Sequence, residues 1–291
     1  MTRPRIVLAA LRVAILAFTL AACGDDDSAA DSTATDGAAS SEVACTRDEL
    51  TTVSADTLTV GTDKPAFPPY VIDDDPTSGK GFESAVAYAV ADELGFTEDE
   101  VSWTVVPFNS SYAPGAKKFD FDINQVSINP ARAKAVDFSV PYYTAPQGVL
   151  VSKDSEYATA TSVADLKDAR FGVQVGTTSL DAVNELIAPT VEPRVYNDSN
   201  DVVRALKSEQ VDAIVVDLPT AIYLRDAVVE GSSIAGQFEA PGGDRWGLVL
   251  AKDSPLTTCV DRALTTLKDS GDLAAITEQW IGAEAPVLAL K

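Results

Sequence analysis

The chain has 291 residues, 46% of them apolar and 7% aromatic, which exceeds what one core needs and suggests about two domains of ordinary size. Its 44 acidic residues outweigh 22 basic ones, and the net charge of −22 repels phosphate backbones and anionic lipid head groups, arguing against nucleic-acid binding. With no histidine and only three cysteines, the chain lacks Ser-His-Asp and Cys-His nucleophiles, imidazole metal ligands, four-cysteine zinc sites and CxxC redox pairs.

At the start, Arg3 and Arg5 precede an apolar run from Ile6 to Leu20 broken only by Arg12, and Leu20-Ala21-Ala22-Cys23 follows. Residues 1–22 read as an export signal. The last four residues resemble the bacterial lipobox, in which the cysteine thiol receives diacylglycerol before cleavage, so Cys23 is the expected lipidation site. An ordinary secretory signal with an incidental Cys23 is the plainer alternative. The run of about 15 residues is short of the roughly 20 that span hydrocarbon. Removing residues 1–22 takes away three arginines and no acids, leaving 19 bases against 44 acids and a net charge of −25. Any membrane attachment is therefore expected through the lipid alone.

Residues 24–43, rich in Asp, Ser, Ala and Thr, offer no large side chain to seed a core and read as a tether. Cys45 and Cys259 are left in an oxidising compartment, even in number, and a disulfide between them is expected. Two free thiols are the alternative.

The body alternates strands and helices. Leu58 to Gly61 is a β-branched run, and Gly81 opens a helix whose Phe82, Val86, Val90 and Leu94 recur at four-residue spacing until Gly95 stops it. Strands are expected over Val101 to Val106, Phe119 to Ser127 and Phe171 to Val175. Asn200 is expected to cap a helix through Leu206, leading into Val211 to Val216, a continuous apolar run suited to a strand covered on both faces. Leu256, Val260, Ala263, Leu264 and Leu267 form a helical stripe closed by Gly271, and a shorter helix runs from Asp272 to Trp280 and Ile281. Alternation of this kind predicts a parallel α/β architecture.

Seven blocks in order carry a resemblance: VGTD (Val60 to Asp63), FPPY (Phe67 to Tyr70), the Gly81 to Gly95 helix, KFD (Lys118 to Asp120), SINPARAKAVDFSVPYY (Ser127 to Tyr143), GVQVGTT (Gly172 to Thr178) and VDAIVVD (Val211 to Asp217). The chain resembles the family 3 extracytoplasmic solute-binding proteins, amino-acid receptors of ABC-type importers, from Leu58 to Trp280. The resemblance implies a type II periplasmic-binding-protein fold: two α/β lobes joined by two hinge crossovers that close on a ligand. Lobe 1 is expected to comprise residues 55–143 plus 244–291 and lobe 2 residues 144–243. Residues 23–54 form the lipidated tether and N-terminal segment, and Trp246 to Leu250 is the strand returning through the hinge.

A zwitterion leaving water needs partners for both of its charges. By the resemblance, Arg132 grips the α-carboxylate with two parallel donors, joined by Ser127 from one lobe and Thr177 and Thr178 from the other. Asp217, at a strand end where ligands collect in open α/β sheets, neutralises the α-ammonium, and the backbone carbonyl of Gln125 accepts from it. Phe67, Tyr70 and Phe108 wall the side-chain pocket. Asp63 matches an acid that faces polar or cationic ligand side chains. Departures from the family pattern lie at Asn129-Pro130, where Asn129 reads as a helix cap, and at Asp122 and Asn124, whose roles stay open.

The reading implies no enzyme, cofactor or metal, and a monomer that hands a free polar or cationic amino acid to a membrane permease. A cyclohexadienyl or arogenate dehydratase-like enzyme on the same fold, with Asp63 or Asp217 as its acid, and a ligand-sensing module are the alternatives.

Overall fold

The structure, a computed structural model, describes residues 44–282 and Ala289. The expected signal, the lipidation site Cys23 and the tether up to residue 43 lie outside the described residues. No helix among the described residues is long and apolar enough to cross a membrane.

In chain order the elements are β1 (Leu58–Thr62), α1 (Phe82–Glu93), β2 (Val101–Val105), α2 (Phe108–Ser111), β3 (Phe121–Asp122), β4 (Val136–Phe138), β5 (Tyr143–Thr144), β6 (Gln147–Val151), β7 (Phe171–Gln174), α3 (Thr178–Ala182), β8 (Arg194–Tyr196), α4 (Ser199–Lys207), β9 (Ala213–Asp217), α5 (Leu218–Tyr223), β10 (Ser233–Phe238), β11 (Arg245–Trp246), β12 (Val249–Ala251), α6 (Thr257–Ser270) and α7 (Asp272–Trp280). They build two five-stranded sheets, ordered β2-β1-β3-β12-β4 and β10-β6-β9-β7-β8, and a two-stranded ribbon of β11 and β5. That ribbon pairs Arg245 with Thr144 and Trp246 with Tyr143, antiparallel. It marks where the chain leaves the first sheet and where it returns.

The expected parallel pairing holds for β1 with β2 and β3 and for β7 with β8 and β9, but it does not extend to every strand. β12 runs antiparallel to β3 and β4, and β6 runs antiparallel to β9 and β10. Both are the strands that directly follow a crossover, and each enters its new sheet against the direction of the strands made by helical connections.

α1 forms where the four-residue apolar spacing placed it, burying Phe82, Val86, Ala87 and Val90. Gly81 is required at its start: its φ is +107°, and a Cβ there would stand 2.3 Å from the Tyr70 carbonyl oxygen. Packed on the same core are Trp246, Phe121 and the stripe of α6. A disulfide joins Cys45 to Cys259 on α6, with Cα atoms 5.4 Å apart, tying the segment ahead of β1 to that helix. The second sheet is covered on both faces, by a cluster around Phe171, Val173 and Leu166 and another around Leu206, Ile214 and Val229.

Three expectations of local structure are overturned. Phe119 to Ser127 contributes only the two-residue β3, because Gln125 takes a left-handed φ of +48° and its N–H turns away from the ladder to Glu83 Oε1, 2.7 Å away. The cap of α4 is Asp198, whose Oδ1 accepts from the Asp201 N–H at 2.9 Å, and not Asn200. Asn129 Oδ1 accepts from the Arg132 N–H at 2.9 Å, but the N-cap position of the 3-10 turn Arg132–Lys134 is Ala131 and not Asn129.

Candidate functional site

The carboxyl ends of β1 and β3 in one sheet and of β7 and β9 in the other converge on a cavity of about 400 Å³, within the usual range for small-molecule pockets. From the first sheet's side, Asp63, Phe67, Tyr70, Phe108, Gln125 and Ser127 line it; from the second sheet's side, Thr177, Thr178 and Asp217 do so. Nine of the ten sequence-proposed ligand residues thus share one cavity.

Arg132 is the exception. It is 7% exposed and absent from the cavity lining. Its Nη1 donates to the Ser127 carbonyl at 2.7 Å and its Nη2 to the Gly176 carbonyl at 2.8 Å, so one guanidinium bonds backbone next to both sheets. The Tyr112 ring lies 4.4 Å and the Phe108 ring 5.6 Å from its central carbon, within cation–π range. Gly176, in the left-handed region with φ of +76°, admits Asn109 and Tyr112 close against it, since a Cβ there would stand 2.6 Å from Asn109 Oδ1 and 2.9 Å from Tyr112 Oη. Burial pulls the Arg132 pKa below its ordinary value, opposed by nearby Tyr112 and Asp244.

The two sides of the cavity also touch directly. Ser127 Oγ and Thr178 Oγ1 are 3.3 Å apart, and Tyr70 Oη and Thr220 Oγ1 are 2.9 Å apart. Thr177 caps α3, accepting from the Leu180 N–H at 3.2 Å, and its own hydroxyl donates to the Gln174 carbonyl at 2.9 Å.

Two acids dominate the electrostatics, and sequence reasoning missed the surroundings of both. Glu83, 1% exposed, lines the cavity and is held by the Tyr142 hydroxyl and by the backbone and side-chain N–H groups of Gln125. Burial pushes its carboxyl up to about 7, against the lowering pull of those three bonds. Its place on the stripe shared with Val86 and Val90 was the available signal: a charge on a buried helix face.

Asp217 is raised well above the usual carboxylate range, first by burial and then by the charge of Asp244. Gln147, fully buried, donates its Nε2 to Asp217 Oδ1 at 2.8 Å and to Asp244 Oδ2 at 2.6 Å. Thr178 Oγ1 also donates to Asp244 Oδ2, at 2.9 Å, while Asp244 Oδ1 is buried with no partner among the described residues. Asp244 carried no sequence signal. It reaches Asp217 only because the second crossover returns beside β6.

Asp63 accepts from the N–H groups of Lys64 at 2.7 Å and Phe108 at 3.2 Å. Burial raises its pKa, and Asp198 on the opposite side adds to the rise. Asp122 is buried without a hydrogen bond to either oxygen, its pKa lifted well above the ordinary range by burial and then by Glu83 and Asp63. Among the described residues no cluster of His, Cys, Asp and Glu is arranged to hold a metal ion.

A buried cleft between two α/β sheets, with acids and hydroxyls from both walls and a guanidinium behind them, is suited to a small zwitterion. Comparisons with known proteins agree. Residues 58–283 match the family model for bacterial extracellular solute-binding proteins, family 3. The L-cystine-binding protein TcyJ of Escherichia coli K12 is 31% identical over 230 residues, covering 78% of this chain and 84% of that protein. A solved ancestral arginine-binding protein bound to glutamine superposes with a TM-score of 0.67 at 31% identity, over 79% of this chain and all of that one. The ancestral amino acid-binding protein AncCDT-1, a precursor of cyclohexadienyl dehydratase, gives a TM-score of 0.64 at 31% identity, over 78% of this chain and 95% of that chain. The chain belongs to the bacterial extracellular solute-binding proteins, family 3.

Proposed function

We infer that the chain is the substrate-binding component of an ABC-type amino-acid importer, closing on a free polar or cationic amino acid. The carrying observation is the single cavity lined from both sheets by Asp63, Gln125, Ser127, Thr178 and Asp217. A ligand touching both walls favours the closed state by its differential affinity, and closure is what a permease reads. In this reading lobe 1 is residues 55–143 plus 244–291 and lobe 2 is residues 144–243, with the β5–β11 ribbon as the hinge. The protein acts as a monomer, extracytoplasmic and held to the membrane through a lipid on Cys23.

Within the cavity, Asp217 takes the α-ammonium. Ser127, Thr177 and Thr178 offer donors to the α-carboxylate, and Arg132 supplies positive charge from behind them, releasing a carbonyl to meet the carboxylate directly as the ligand settles. A thermal-shift screen against the twenty amino acids tests the reading, because melting rises only where a ligand binds the native state. Asp217→Ala is expected to cost roughly 2 to 5 kcal/mol of affinity for the ligand so found, by stranding a buried ammonium. Unchanged calorimetric affinity would remove Asp217 from the site.

A second reading has one observation in its favour: Glu83 titrates near neutrality inside the cavity, as a general acid must. An arogenate dehydratase-like activity would then be detected as phenylalanine formed from arogenate and abolished in Glu83→Gln.

A further inference from the structure

Asp244 stands behind Asp217, and the amino-acid clamp does not use it. Both acids bond Gln147 Nε2, at 2.8 Å and 2.6 Å, so their carboxyls are neighbours. The bond between them exists only when one carries a proton, because ionised carboxyls are acceptors alone. Asp244 comes from the returning crossover and is buried. Its Oδ2 ends a chain of hydroxyls that starts on the first sheet's side: Ser127 Oγ is 3.3 Å from Thr178 Oγ1, which donates to Asp244 at 2.9 Å.

No base compensates this pair. Lys64, the one base among the described residues that line the cavity, is ion-paired to Asp74 at 3.3 Å. Arg132 feels the charge of Asp244, yet its guanidinium bonds the carbonyls of Ser127 and Gly176. The other titratable groups on the cavity wall are Asp63, Tyr70, Glu83, Asp198 and Tyr223, and Glu83 adds to the repulsion at Asp217. On the elements packed around the pair, β6, β7 and β10 carry no titratable group, and Asp181 of α3, Lys207 of α4 and Arg245 of β11 are exposed. Asp201 of α4 pairs with Arg204, Asp226 beyond α5 pairs with Arg225, and Tyr143 of β5 packs its ring on Trp246. Two neighbouring carboxyls in a desolvated site repel too strongly for both to stay ionised. An ammonium placed beside Asp217 supplies the neutralising charge that the proton otherwise supplies.

We propose that Asp244 makes Asp217 a proton-exchanging ammonium site: the unliganded pair holds one proton between its two carboxyls, and the incoming α-ammonium displaces that proton to solvent. Charge balances, since one ammonium enters as one proton leaves and the Asp217 carboxylate ends paired with the ammonium. Burial and the charge of Asp244, which lift the Asp217 pKa, act on the unliganded protein, while the bound ammonium lowers it again. Affinity is therefore complete above the unliganded value and falls as pH drops through it. The proposal rests on the amino-acid receptor reading above and adds that acid favours release of the cargo.

Calorimetry of the mature full-length protein tests it, the probe being whichever of the twenty amino acids raises the melting temperature most. Titrations from about pH 8 to about pH 5, each in a pair of buffers of low and high ionisation enthalpy, count the protons exchanged. Release is expected to rise toward about one proton per ligand as pH falls, while affinity drops by up to about tenfold per pH unit. In Asp244→Asn, which keeps one oxygen for Gln147 and Thr178, release should fall by roughly half or more and the pH dependence of affinity should flatten. Equal heats in both buffers at every pH, or undiminished release in Asp244→Asn, overturn the proposal while the receptor stands. If no amino acid gives heat or a melting shift, the receptor reading falls as well. Should Asp244→Asn fail to fold, Glu83→Gln and Asp63→Asn decide, because they remove the other cavity-lining carboxyls whose pKa is raised. Release that survives in both comes from the pair, and release lost in either overturns it.

Discussion

Glu83 and Asp217 face one cavity from opposite sheets, and their partners differ in a way that assigns them different work. Every hydrogen bond that Glu83 makes comes from its own half: Tyr142 and the N–H groups of Gln125 surround it. Asp217 shares a single amide, that of Gln147, with a second acid, Asp244, and Asp244 keeps one buried oxygen unpartnered. A carboxyl already satisfied by neutral donors organises the wall around it. A pair of carboxyls with fewer donors than lone pairs keeps an unmet capacity to accept hydrogen bonds.

Titration sharpens that contrast most. The folded-state value of about 7 for Glu83 lies above its ordinary 4.5, so the native chain holds this proton more tightly than the unfolded one. Its stabilising contribution is complete below pH 4.5 and is lost as pH rises through about 7. Glu83→Gln should flatten the stability profile over that window by up to about 3 kcal/mol, at about 1.4 kcal/mol per pH unit. Denaturant melts at several pH values would read it, and a wild-type slope surviving in the variant would show that another group titrates there.

Gln147→Leu attacks the other wall. It removes the amide donated to Asp217 and Asp244, together with the acceptor of the Ser179 hydroxyl at 2.5 Å. A stability loss of about 1 to 3 kcal/mol is expected from the stranded groups, along with weaker ligand binding. Equal affinity in wild type and variant would mean that the acid pair is organised without Gln147.

Tyr142→Phe is the mildest. Loss of the hydroxyl from Glu83 should cost about 1 kcal/mol and move the Glu83 titration upward, because that bond is among those that lower it. A downward move would reverse the assignment of Tyr142 as a donor to the carboxylate.

Much of the site was legible in the sequence because its residues sit at strand ends. Asp63, Ser127, Thr178 and Asp217 each follow an apolar run closely, and such positions open onto the cleft whatever the exact length of the strand. Glu83, Gln147 and Asp244 were not read, for separate reasons. Glu83 lies on a helix face whose apolar spacing hides it. Gln147 begins β6, a strand that the sequence reading did not recognise, and Asp244 follows a Gly-Gly turn with no periodicity at all. Asn124 and Asp122 were noticed as departures, but a lone polar residue in a short strand does not say which groups it will meet.

Periodicity along the chain determined the helices α1, α6 and α7 and the cores of β1, β7 and β9, because burial of one face or both depends only on local spacing. The seven ordered blocks likewise determined the family. Only the tertiary structure decided that β6 and β12 run against their neighbours, that Gln125 leaves its ladder for Glu83, and that Arg132 bonds backbone beside both sheets instead of lining the cavity. These features arise from groups brought together by the two crossovers, where residues far apart in sequence compete for the same few donors.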